Sequence, residues 1–77
     1  MSEKNDIELV KSTIASKISY YRQKRDLSMR SLAKLVGVGE KMIRRWESGN
    51  YDFVPSISSL VKVANALDVN ITKLLKS

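Results

Sequence analysis

The residues best placed to do chemistry lie in one short stretch, Glu40-Lys41-Met42-Ile43-Arg44-Arg45-Trp46-Glu47-Ser48. Wound as a helix at roughly 100° per residue, it places Ile43 and Trp46 on one apolar stripe. Lys41, Arg44, Arg45 and Ser48 fall on the opposite side. Ammonium and guanidinium groups are hydrogen-bond donors that never accept, so such a face recognises anions and does not make or break bonds. The rest of the chain agrees. It contains no His and no Cys, so the usual parts of a nucleophile and its base are missing, as are those of an ordinary zinc site. No GxxxxGK or GxGxxG phosphate loop occurs. The chain reads as a non-enzyme that needs no cofactor or metal.

A helix with one buried and one basic side needs elements to bury it. Directly before it, Leu32, Ala33 and Val36 recur at helical spacing, and Gly37-Val38-Gly39 forms a turn between the two apolar stripes. Two helices joined through three residues approach closely at the elbow, where the small Ala33 fits, and Gly37 can take a positive φ without strain. Upstream, Val10, Ile14, Ile18 and Tyr21 trace a first helix ending near Asp26. Asp6 can cap an early start, and the pattern leaves the first residue open. Ser28 is placed to cap the second helix, with Leu27 packing inward.

The third helix is expected over Glu40 to Ser48, with Gly39 as its cap and Gly49 as a left-handed stop. Asn50 to Pro55 reads as a linker without Lys or Arg, able to offer only backbone amides, Tyr51 and Asn50. Ser56 caps a fourth helix with the stripe Ile57, Leu60, Val61, Ala64 and Leu67. It is expected to end at Asp68, a position that calls for a left-handed backbone. Asn70 caps a last helix carrying Ile71, Leu74 and Leu75. No strand, repeat or low-complexity tract is apparent.

Seventy-seven residues make one small domain, with little core to spare. No apolar run approaches a membrane span, and MSEKNDIE lacks the apolar centre of a signal peptide, so no membrane role and a cytoplasmic location are expected. Fourteen Lys and Arg against eight Asp and Glu give a formal net charge of +6. Between Arg22 and Arg45 stand eight cations (Arg22, Lys24, Arg25, Arg30, Lys34, Lys41, Arg44, Arg45) against Asp26 and Glu40, a local +6 that equals the whole net charge. A field so concentrated favours a polyanion.

Arg22, Leu32-Ala33, Gly37-Val38, Ile43, Trp46-Glu47, Gly49, Leu60, Ala64 and Ala66-Leu67-Asp68-Val69 together resemble the phage-repressor domain of Cro, C1-type or Xre-like proteins, over about residues 14 to 75. The resemblance implies an all-α, compact five-helix lambda-repressor-like fold. Its helix-turn-helix would occupy 29–48, within a DNA-binding domain over 12–77 that follows a partly ordered extension over 1–11. The expected function is a sequence-specific transcription regulator of the repressor type. It would bind double-stranded DNA, at a palindromic operator, as a homodimer with helix 3 in the major groove. The ends of helices 4 and 5, through Leu74 or Leu75, would form the dimer interface.

By the same resemblance Glu40, Lys41 and Arg45 take the base-reading places, with Arg44 beside them. Arginine or lysine suits guanine N7 and O6, and Glu40 suits the cytosine amino group or, equally, the helix dipole. Arg44 and Arg45 binding phosphate alone is the plainer alternative. Lys34, Ser48 and Asn50 join the DNA-binding set. Arg22 is expected to pair with Glu47 between helices 1 and 3 and to lean toward a phosphate. Met29 stands where the family often carries a phosphate-binding glutamine, so that contact falls to Arg30 or is lost. Met42 is expected to cover the core edge in preference to a thymine methyl. A second functional class is an antitoxin that binds a toxin protein and its own promoter.

Overall fold

Helix α1 (Glu3–Lys24) is 22 residues long, about 33 Å at 1.5 Å per residue. It accounts for most of the 38 Å long axis of a body otherwise 23 by 20 Å. The computed structural model describes residues 3–50 and 52–76, with side chains from Asp6 onward. The expected role of Tyr51 falls outside them. The helix runs without a break through Ser12, and its early apolar residues Ile7, Leu9 and Val10 are exposed. Only from Ile14 does α1 enter the core.

Four further helices follow: α2 (Met29–Val36), α3 (Glu40–Glu47), α4 (Ile57–Leu67) and α5 (Thr72–Leu75). No strand occurs among the described residues. α2 packs against α3 and α4, while α1 lies across α3, α4 and α5. Ile18, Leu32, Ile43, Val63, Leu67 and Leu74 are fully enclosed where they meet. Each such side chain contributes roughly 1.5–3 kcal/mol of burial. For the four-residue α5, Leu74 is the anchor.

The helix starts use the expected residues. Ser28 Oγ accepts from the Ser31 amide at 3.0 Å, and Ser56 Oγ accepts from the Ser59 amide at 3.2 Å. Asn70 Oδ1 accepts from the Thr72 amide at 3.0 Å, although the helix begins one residue beyond Ile71. Three helices share one way of stopping. After α1, α2 and α4 the chain turns left-handed at Asp26, Gly37 and Asp68, with φ of 55°, 87° and 56°. The next amide then reaches back to a carbonyl of the last turn: Leu27 to Arg22, Val38 to Ala33 and Val69 to Ala64, each at 3.0 Å. This closure satisfies carbonyls that a helix end leaves bare.

Three packing expectations are corrected. The stripe on α4 is turned by about one residue: Val63 is fully buried, whereas Ile57 is 77% and Val61 43% exposed. Leu60, Ala64 and Leu67 belong to either phase, and contact with α1 and α2 selects the one containing Val63. Met42 is exposed and does not cover the core edge, because Ile43 and Trp46 already fill the inner side of α3. Leu74 is enclosed and is unavailable to an interface, while Leu75 is partly exposed.

Candidate nucleic-acid interface

α3 is held from inside by Ile43 and Trp46, both buried. Gly39 precedes it in extended conformation, with no side-chain cap. A Cβ there would meet no neighbour within 4 Å. Glu40 sits in the first turn, where its charge complements the helix dipole. Ala33 is buried before the elbow, and Gly37 is required for its backbone sign, since a Cβ there would also meet nothing.

The most enclosed ion pair among the described residues joins α1 and α3. Arg22 Nε and Nη2 donate to the two carboxylate oxygens of Glu47 at 2.6 and 2.9 Å, and Nη1 donates to the Leu27 carbonyl at 2.8 Å. The side chains are only 12% and 5% exposed. The hydrogen bonding of Arg22 to Glu47, opposed by burial and aided by the carboxylate charge, raises the Arg22 pKa above the ordinary arginine value. Arg22 is therefore a permanent cation, most of whose donors are spent on fixing α3 and the α1–α2 turn.

Outside, Lys41, Arg44 and Arg45 are all exposed on one side of α3. Arg44 Nη2 donates to Glu40 Oε2 at 2.9 Å, so the expected base reader Glu40 and the arginine beside the reading set form one surface ion pair. Such a pair is worth only about 0.3–0.5 kcal/mol and opens readily to a stronger partner. Lys41 has no ion-pair partner among the described residues. Arg30 and Lys34 lie one helical turn apart on the exposed side of α2.

Ser48 and Asn50 are engaged in local structure. Ser48 Oγ donates to the Arg45 carbonyl at 2.6 Å and accepts from the Asn50 amide at 3.2 Å. Asn50 Oδ1 accepts from the Asp52 amide at 3.0 Å, which leaves the Asn50 NH2 group facing outward as its remaining donor.

Not every cation of the basic stretch joins this face. Arg25 Nη1 donates to the Leu67 carbonyl at 3.2 Å and stands 3.5 Å from the Asp68 carboxylate. Lys24 Nζ sits 5.7 Å from the centre of the Tyr20 ring. Both line a cleft with Tyr21, Leu67 and Val69, on the flank of α1 turned toward α4 and the segment after it. The exposed charge beside α3 is thus carried by Arg30, Lys34, Lys41, Arg44 and Arg45. Sequence reasoning missed Phe53, whose ring lies under Arg45. An aromatic side chain in a linker with no cation of its own was the available signal.

Among the described residues, no three or more His, Cys, Asp or Glu gather as a metal site, and no helix is long and apolar enough to cross a membrane. No curated protein matches the chain significantly. Among solved structures that share the arrangement are the following two. A transcriptional regulator of the HTH_3 family from Vibrio cholerae superposes with a TM-score of 0.78 at 31% identity, over 88% of this chain and 37% of its own. CoII HppE in complex with substrate superposes with a TM-score of 0.77 at 21% identity, over 87% and 36%, a likeness of fold alone. The chain spans little more than a third of either protein. The helix-turn-helix family HTH_3 itself matches residues 18–74, from the middle of α1 into α5. On that match, and on the buried α3 with its arginine-glutamate tie to α1, the chain belongs to the HTH_3, or Cro/C1-type, helix-turn-helix family.

Proposed function

We propose that this chain is a sequence-specific double-stranded DNA-binding module of a transcription regulator, which inserts α3 in the major groove. The observation that carries the reading is the two-sidedness of α3: Ile43 and Trp46 are buried while Lys41, Arg44 and Arg45 stand exposed together on the other side. The similar Vibrio cholerae protein is itself described as a transcriptional regulator. Arg45 and Lys41 donate to guanine edges, and the Glu40–Arg44 pair divides on binding between a cytosine amino group and a guanine or phosphate. Arg30, Lys34, the Asn50 side-chain NH2 group and the Ser48 end of α3 grip the backbone, and the outer edge of Arg22 leans on a phosphate.

The operator is palindromic and is bound by a homodimer, with half-sites about 34–36 Å apart. Ile57 and Val61, exposed one turn apart on α4, supply the apolar contact in place of Leu74.

Selection from randomised duplexes, followed by binding titrations at several salt concentrations, tests the reading. With about three to five phosphates neutralised per protomer, log K falls against log salt with a slope of roughly −3 to −4.5. Arg45→Ala costs about 1–3 kcal/mol on the selected operator and relaxes one base pair. Lys34→Ala weakens all sequences alike and reduces the salt slope by about one. Unchanged base preferences in Arg45→Ala would show that α3 does not read sequence through that residue.

A further inference from the structure

Phe53 lies in a connection without lysine or arginine, yet it meets a cation of α3. Arg45 Cζ stands over its ring, 5.0 Å from the centroid. A connected set of hydrogen bonds brings the ring there. The Arg45 carbonyl accepts from Ser48 Oγ, Ser48 Oγ accepts from the Asn50 amide, and the Asn50 carbonyl accepts from the Phe53 amide at 3.0 Å. The backbone of Arg45 thus begins a loop that returns an aromatic face to the Arg45 side chain eight residues later. Gly49, at a φ of 80°, makes the required turn.

The cations of α3 are held in different ways. Arg44 spends a donor on Glu40, whereas Arg45 makes no side-chain hydrogen bond or ion pair among the described residues. An aromatic ring attracts a guanidinium through its quadrupole. It orients the group without using up its forked donors, which are what bidentate contact with a base requires.

We infer that Phe53 is a positioning residue for sequence readout, holding the Arg45 guanidinium against its ring with its donors unspent before DNA arrives. The inference rests on the reading of α3 as the recognition helix. A loop that cannot grip phosphate through cations of its own contributes by restricting the cation that reads a base. Freezing a long side chain costs affinity when it happens on binding, so loss of the ring weakens the preferred operator by roughly three- to tenfold.

The experiment measures binding of the selected operator and its single-base variants to the wild type, Phe53→Leu, Phe53→Trp, Arg45→Ala and the Phe53→Leu/Arg45→Ala double variant, with a melting curve for each. Phe53→Leu, which keeps apolar bulk at a partly exposed site, is expected to melt near the wild type. It loses roughly three- to tenfold on the preferred operator, concentrated at the base pair that Arg45→Ala relaxes. Phe53→Trp restores the preference, and the double variant binds no worse than Arg45→Ala. Equal loss on every sequence, or the same loss in the Arg45→Ala background, overturns the positioning role and leaves Phe53 as loop packing. If Arg45→Ala relaxes a base pair and Phe53→Leu alters none, the positioning role alone fails. If Arg45→Ala changes no preference, the reading of α3 through Arg45 fails as well.

Discussion

Glu47→Gln removes one charge and one acceptor geometry while leaving the side chain nearly the same size. The wild-type carboxylate takes two bonds from Arg22, at 2.6 and 2.9 Å, with the two side chains 5% and 12% exposed. Glutamine offers a single oxygen and turns an amide NH2 toward a guanidinium that cannot accept. Arg22 keeps its bond to the Leu27 carbonyl but stays charged and enclosed without its counterion. Breaking a buried pair from one side costs about 3–5 kcal/mol, and the retained bonds put this case near the lower end, about 3 kcal/mol.

For a domain of this size, where total stability is about 4–12 kcal/mol, that is a large share. At about 4–8 °C per kcal/mol the melting temperature falls by roughly 12–24 °C. Circular dichroism on heating, with urea titration to confirm a lower midpoint at constant slope, gives the measurement. Arg22→Met with Glu47→Leu recovers part of the loss, because neither residue then leaves a buried charge alone. An unchanged melting curve in Glu47→Gln, accompanied by altered operator choice, would refute the reasoning and make Glu47 a base reader.

Two other substitutions follow from the backbone and surface. Asp68→Gly relieves a left-handed residue at φ 56° and raises stability by up to about 1 kcal/mol, whereas Gly37→Ala, at φ 87°, costs about 1–2 kcal/mol; paired melting curves with the same sign for both would contradict the account of the helix stops. Ile57→Asp leaves the monomer folded, since the side chain is 77% exposed, but prevents two chains from occupying one operator; sedimentation of the DNA complex with two chains still present would remove Ile57 from the interface.

Where chemistry left a residue one place to go, the sequence was enough. Trp46 and Ile43 share a stripe on a helix too charged elsewhere to bury another side, and both are in the core. Arg22 and Glu47 meet as the family resemblance implied, since a cation and an anion on the inner sides of two helices must neutralise each other. Legibility failed where several solutions had nearly equal energy. α4 carries apolar residues at 57, 60, 61, 63, 64, 66 and 67, so two helical phases explain its pattern equally well, and only the packed neighbours choose between Val61 and Val63.

Cations pose a harder problem, because a lysine or arginine is solvated on any flank and sequence order carries no sign of direction. Arg25 and Lys24, counted with the basic stretch, turn to the Leu67 carbonyl and to Tyr20. Asp26 has a related ambiguity: nothing in its type demands a left-handed backbone, but the amide of Leu27 needs the Arg22 carbonyl, and that bond sets the turn. The same logic explains Phe53. Its partner is fixed by a relay through Ser48 and Asn50, two residues whose polar groups first serve the loop, so the aromatic contact becomes visible only once those hydrogen bonds are drawn.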